Sequence, residues 1–315
     1  MGTPELAARV LEALLRGPDR VVGVVTQPDR PVGRGYDLKA SPVKELALQA
    51  GLPILQPERI KGERGKAFRE ELARLKPELI VVAAFGKILP KEVLEMPAMG
   101  CVNVHASLLP RWRGASPINW AIAAGDTETG VSIMMMDEGL DTGPVILERR
   151  VPIAPGETGG SLHDKLASLG AQALMEALDL VREGRAQPKA QDDSGATYAP
   201  MLSREDARLD FERPADELER RVRAFQPWPG AFTRLQGRLL KVRRAKALPG
   251  GHETGVTEKD RTEPGVIVSA SAEGVDVACG QGLLRLLEVQ PEGKRPMDAG
   301  AFVAGRQGLV RLRLD

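Results

Sequence analysis

The 315 residues predict an α/β fold, a doubly wound and mostly parallel sheet, followed by a small β-barrel. Three observations carry this. Strand-like apolar runs alternate with helical patterns over residues 1–184. A polar stretch without periodicity, 185–202, then reads as a linker. From 203 to 315 the pattern changes to a short helix and brief apolar runs divided by glycines.

Taken in order, Leu6, Val10 and Leu14 recur at helical spacing behind Pro4, so a helix opens near residue 4. Residues 21–26 read as a buried parallel strand. The long loop 27–44 sets Arg30, Arg34, Lys39 and Lys44 against Asp29 and Asp37. Gly33 and Gly35 invite a dinucleotide reading, but Leu38 stands where the third glycine belongs and no strand immediately precedes them. Ser41 and Pro42 are an N-cap and first-turn proline for a helix to about residue 50. Residues 52–55 form a short strand, 61–75 an amphipathic helix, and 79–84 a wholly apolar central strand. After a short helical piece at 87–96 come a helix at 116–124 and strands at 130–136 and 145–153. A long helix at 158–183 has Leu162, Leu166, Leu169, Ala173 and Leu178 near a 3.6-residue period. The second domain reads as a helix at 215–224 and strands at 231–235, 239–242, 265–269, 275–278 and 283–289.

Net charge is +1, so the overall balance announces no polyanionic partner. Its distribution does. Arg220, Arg221, Arg223, Arg234, Arg238, Lys241, Arg243, Arg244 and Lys246 fall in one stretch without an acidic residue, the pattern of a phosphate-tracking surface. Phe225, Trp228 and Phe232 interleave with it, and Trp228, between Pro227 and Pro229, reads as a packing anchor. Two cysteines and three scattered histidines give neither a disulfide framework nor a zinc constellation, and they suit a reducing cytosol. The longest apolar run, 79–85, is far short of the ~18 residues that suggest a membrane span. Glu5, Arg9 and Glu12 break up the N-terminus, so it is not a signal peptide.

The stretch around which the chain is organised is 100–114. Its strand places Asn103 and His105 on one face, then turns at Leu109-Pro110 into Arg111-Trp112-Arg113-Gly114. Asp141 lies in a glycine-punctuated loop after another apolar run. An amide, an imidazole and a carboxylate at neighbouring strand ends can hold an oxyanion, move a proton and orient the imidazole. Asp137 and Glu138 compete for the carboxylate role, and Asp141 alone would also suit a turn cap. Ser107 raises a Ser-His-Asp hydrolase, but no Gly-x-Ser-x-Gly elbow surrounds it and it stands only two residues from His105. Cys101 is expected in the core, on the face away from Asn103 and His105.

These residues resemble a known family. Asn103-x-His105, Ser107-Leu108-Leu109-Pro110, Arg111-Trp112-Arg113-Gly114 and Asp141-Thr142-Gly143 are similar to the signature of formyltransferases that use 10-formyltetrahydrofolate. Gly2-Thr3-Pro4-Glu5, Thr26-Gln27-Pro28-Asp29-Arg30-Pro31, Ser41-Pro42-Val43-Lys44 and Gln226-Pro227-Trp228-Pro229 match as well. The resemblance runs from residue 2 to about residue 300, and the loop 26–31 with Pro-Trp-Pro narrows it to the tRNA-directed branch. It implies a Rossmann-like catalytic domain at 1–184 and an OB-like tRNA-binding domain at 203–315. It implies formyl transfer from 10-formyltetrahydrofolate to the α-amine of methionine on initiator methionyl-tRNA, for translation initiation, by a cytoplasmic monomer without a metal. Asn103, His105 and Asp141 are then catalytic, with the proton acceptor left open between His105 and Asp141. Ser107, Leu108, Leu109 and Pro110 shape the folate pocket. Arg34, Lys39, Arg220, Arg223, Arg243 and Arg244 face tRNA, although Tyr36-Asp37 stands where relatives often carry further basic residues. The family normally has a strand before Gly-Thr-Pro, so the natural protein is expected to start upstream of Met1. Two readings within the chemistry compete, a small-molecule amine acceptor and a folate-formyl hydrolase, and the basic second domain argues against both. A non-catalytic tRNA-binding protein is the reading from another class.

Overall fold

The computed structural model describes residues 1–32, 37–248 and 263–315. They form two compact units, one of Met1–Pro117, Glu128–Pro152 and His163–Pro200, the other of Ile118–Thr127, Ile153–Leu162 and Met201–Asp315.

In chain order the elements up to Pro200 are α1 (Glu5–Arg16), β1 (Val24–Val25), β2 (Arg30–Val32), β3 (Asp37–Lys39), α2 (Pro42–Gln49), β4 (Ile54–Leu55), α3 (Lys66–Arg74), β5 (Ile80–Ala83), α4 (Lys91–Leu94) and β6 (Cys101–His105). There follow β7 (Arg113–Gly114), α5 (Pro117–Ala124), β8 (Glu128–Met135), β9 (Val145–Pro152), α6 (Gly159–Arg182) and β10 (Tyr198–Ala199). Ser41 caps α2 as its sequence predicts, accepting a hydrogen bond from the Lys44 N–H. β5 and β6 run parallel, and β8 and β9 add antiparallel to β6 to make the order β5-β6-β8-β9. β1 and β4 are a separate parallel pair. Only Val24 and Val25 of the expected strand 21–26 find a ladder partner, which is why it is so short. Between β1 and β5 lies Met1-Gly2, where Gly2 donates to Val25 O at 3.0 Å and Ala83 donates to Met1 O at 2.9 Å. Beside it is a cavity of about 530 Å³ lined by apolar side chains such as Val10, Leu14, Val22 and Leu79. The core on one side of this sheet is built from Val82, Phe85, Val93, Leu94 and Cys101 with Phe68 and Leu72 of α3.

The polar stretch expected as a linker, 185–202, is ordered on the first unit as far as Pro200. Lys189 pairs with Val145, and β10 lies parallel to β7.

The second unit contains α7 (Ala215–Ala224), β11 (Phe232–Leu235), β12 (Arg238–Leu248), β13 (Ile267–Ser271), β14 (Gly274–Ala278), β15 (Leu283–Pro291), β16 (Met297–Asp298) and α8 (Ala299–Ala304). The sheet order is β11-β12-β15-β14-β13, all antiparallel. Leu314 bridges Leu235 and Arg313 bridges Val266, so the last residues join both edges and close the barrel. β12 is far longer than the expected 239–242. A bulge between Val242 and Ala245 shifts its inward positions from Leu240 and Val242 to Ala245, which hides the period in sequence. Its core holds Phe211, Leu218, Val222, Val277, Leu284 and Leu286. Among the described residues no helix is long and apolar enough to cross a membrane.

Candidate active site

β6 is a fully buried strand with β5 on one side and β8 on the other. The period of two sends Asn103 and His105 to one face, 9 % and 5 % exposed. Cys101 shares that face and not the opposite one, which corrects the sequence reading. It is still core. Its thiol contacts the carbonyls of Val93 and Leu94 at 3.7 Å, and burial pushes its pKa up to about 11.

Beyond β6 the chain folds into a turn that uses its own polar groups. Ser107 Oγ donates to Arg111 O at 2.7 Å, while Ser132 Oγ donates to Ser107 O at 2.8 Å and accepts from Leu109 N at 3.1 Å. The Ser107 hydroxyl is therefore a brace of the turn, which removes the hydrolase geometry. Leu109 is buried, and Leu108 lies over Gly130 of β8. The four residues 107–110 thus form a wall, with no side-chain polar group turned outward.

Trp112 follows at φ 64°, and its carbonyl meets His105 Nε2 at 2.9 Å. A carbonyl only accepts, so Nε2 carries the hydrogen and Nδ1 is the basic nitrogen of the neutral ring. Nδ1 faces Asp141 Oδ2 at 3.6 Å. The same Oδ2 accepts from Gly114 N at 2.9 Å, and Oδ1 accepts from Asn103 Nδ2 at 3.3 Å. The three residues singled out in sequence therefore meet around one carboxylate. The competitors are disposed of by their own bonds. Asp137 accepts from Gly139 N at 3.0 Å and Thr142 Oγ1 at 2.7 Å, closing its own loop, and Glu138 reaches Lys91 at 3.7 Å.

Sequence reasoning missed the residues that hold this loop. Arg113 is 3 % exposed in its side chain and points to the segment 189–199. Its Nε and Nη2 donate to Gln191 Oε1 at 3.1 and 2.8 Å, and Nη2 also reaches Asp193 at 2.7 Å. Burial works against this charge, and the hydrogen bonds to Asp193 and Tyr198 outweigh it, so the guanidinium pKa is raised. Gln191 Nε2 in turn donates to Asp141 O at 2.9 Å and Gly143 O at 2.7 Å. Thr197 Oγ1 accepts from Trp112 N at 2.9 Å. The one available signal was the spacing of two between Gln191 and Asp193, which puts both on one face of an extended segment.

The expected tRNA-facing residues divide. Arg34 lies outside the described residues, and Lys39 is exposed. Arg220 and Arg223 are engaged within α7 and its own unit. Arg220 pairs with Asp216 at 2.7 Å, and Arg223 pairs with Glu219 at 2.7 Å and donates to Glu157 O at 2.9 Å. The acidic residues that balance them lie four positions earlier, just outside the stretch counted in sequence. Arg243 is half-buried, and Arg244 is exposed with Asp298 at 3.5 Å. Arg238, Arg234 and Lys246 are exposed as well. Trp228 is 57 % exposed, so it is no packing anchor. Phe225 takes the core position instead and meets the Trp120 ring edge-on at 6.1 Å.

Residues 1–178 match the formyl transferase family model, and residues 201–307 match the model of the formyl transferase C-terminal domain. The methionyl-tRNA formyltransferase of Myxococcus xanthus (strain DK1622) is 53 % identical over 307 residues, covering 98 % of this chain and 94 % of the relative. That of Pelobacter propionicus (strain DSM 2379 / NBRC 103807 / OttBd1) is 50 % identical, covering 97 % and 92 %. Among solved structures, the N-formyltransferase from Helicobacter canadensis with folinic acid and dTDP-3-aminofucose superimposes with a TM-score of 0.64 at 16 % identity. It covers 92 % of this chain and 97 % of that one, a likeness of fold.

Proposed function

The chain belongs to the formyl transferase family, and from that premise we propose that it moves the formyl group of 10-formyltetrahydrofolate onto the α-amine of methionine on initiator tRNA. The observation that carries the mechanism is the convergence of Asn103, His105 and one carboxylate of Asp141 at the end of β6. 10-Formyltetrahydrofolate supplies an electrophilic formyl carbon. The residues present fit it. The Asn103 amide has two N–H groups, one of which meets Asp141, and the other can donate to an oxygen that gains charge.

His105 takes the amine proton at Nδ1, since Nε2 already carries a hydrogen toward Trp112 O. The proton then lies between Nδ1 and Asp141 Oδ2, where the carboxylate stabilises the imidazolium. Asp141 also keeps the Asn103 amide turned toward the same spot. An α-amine, with a reference pKa of about 8, is a competent nucleophile once this proton leaves. As its bond to the formyl carbon forms, the bond from that carbon to N10 of the folate breaks, and the proton held by His105 passes to N10 of the departing tetrahydrofolate. The turn 107–110, with Leu108 and Pro110 partly exposed, is the apolar surface offered to the folate ring. The exposed Arg244 and Lys246 of β12, with Arg234 of β11, take the tRNA backbone, in place of Arg220 and Arg223. The protein works as a cytosolic monomer.

The test is formation of N-formylmethionine from charged initiator tRNA and 10-formyltetrahydrofolate. Asn103→Ala is expected to lose on the order of 3 kcal/mol of transition-state stabilisation, roughly 100-fold in kcat. His105→Ala should lose turnover altogether. Failure of the unaltered chain to formylate charged tRNA, with a small amine accepted in its place, would overturn the assignment.

A further inference from the structure

We propose that Gln191 is a positioning residue for the reaction, whose amide fixes the Asp141 carboxylate against His105. The proposal rests on the formyl-transfer reading above. Asp141 sits at φ 54°, a left-handed conformation that an L residue keeps only where its surroundings over-determine it. Gln191 provides that determination. One NH₂ group donates to the carbonyls of Asp141 and Gly143, tying down the strained residue and the loop that leaves it on the C-terminal side. The amide oxygen is held in turn by two nitrogens of the buried Arg113 guanidinium.

An amide is the side chain this place requires. It must accept from a guanidinium and donate twice to carbonyls in the same plane. A carboxylate does only the first and a lysine only the second. With the donor half removed, the loop carbonyls lose their partner and Asp141 relaxes out of its left-handed region. Its Oδ2 then leaves the Gly114 N–H and His105 Nδ1 together. The segment that carries Gln191 is anchored independently, through Lys189 on Val145 and β10 on β7. Removing the amide therefore releases the carboxylate and not the segment.

The experiment compares Gln191→Glu, which keeps the acceptor and loses the donor, with Gln191→Met, which loses both. Two readouts are taken on the full chain. One is amide hydrogen exchange of Gly114, whose N–H is bound to Asp141 Oδ2, beside that of Ala115, whose N–H is bound to Ala199 O at 2.8 Å. The other is kcat and KM for charged initiator tRNA. The expected result is at least tenfold faster exchange at Gly114 with Ala115 unchanged, and a kcat at least tenfold lower with KM within twofold. Unchanged exchange at Gly114, or equal acceleration at Ala115, would overturn the proposal by assigning Gln191 to no role or to the anchoring of the segment. Loss of the folded state in both variants would overturn it in the same way. The exchange readout needs no turnover, so a failure of the formyl-transfer reading, seen as an inactive unaltered chain, stays distinguishable.

Discussion

Gly143 stands two residues from Asp141 because nothing larger fits there. A Cβ at this position would lie 1.9 Å from Met135 O, a backbone atom at the end of β8. The close approach lets β8 hand the chain to the loop while the Gly143 carbonyl still reaches Gln191. Gly143→Ala must therefore push β8 or the loop apart. The expected outcome is a lower kcat together with a stability loss of about 1–3 kcal/mol, the range for overpacking a tight site, read by thermal unfolding and by turnover. The neighbouring acids show how much of the site residue types could disclose. Asp137, Glu138 and Asp141 are alike in sequence and lie in one loop. Only their hydrogen bonds separate them, and these depend on Gly114 and Asn103, which are distant in sequence.

Elements were legible in proportion to the regularity of their pattern. α7 was read at its true bounds, since a stripe of Leu218 and Val222 opposes charged positions and Pro214 opens it. The inner strands were read from their apolar runs, 21–26 and 79–84, which extend beyond the residues that find a ladder partner in β1 and β5. β12 was cut short because its bulge breaks the alternation, and the segment 189–199 looked like a linker because its order comes from polar contacts that leave no period. Charge counting failed on α7 for a related reason. A one-dimensional window ended before Asp216 and Glu219, while a helix brings residues four apart together. Arg223 then has a structural task, with a carboxylate and a backbone carbonyl as partners. Arg223→Ala is expected to lower the stability of the second unit by about 1–2 kcal/mol. The salt dependence of tRNA binding should stay as it was, measured by denaturant unfolding beside a binding titration at several ionic strengths.

At the scale of the whole molecule, the two units carry different physics. The first brings a loop carboxylate to an amide and an imidazole at a buried strand end, where a change of one atom alters a barrier on the proposed reaction. The second offers exposed cations on a barrel strand, and on the function proposed above their contribution to tRNA binding would come from displaced counterions and depend on salt. The two contributions should then separate under mutation. In Arg244→Ala with Lys246→Ala, each lost phosphate contact lowers the log–log salt slope of tRNA binding by roughly 0.7–0.9, so the double variant should flatten it by about 1.4–1.8. Its kcat at saturating tRNA should stay within twofold, because neither side chain belongs to the set around Asp141. His105→Ala should do the reverse, keeping affinity and slope while losing turnover. Both are read from one filter-binding series and one formylation assay. If the double variant lost kcat and kept its slope, the cations of β12 would be acting on the reacting end of the tRNA, and the division between the units would be wrong.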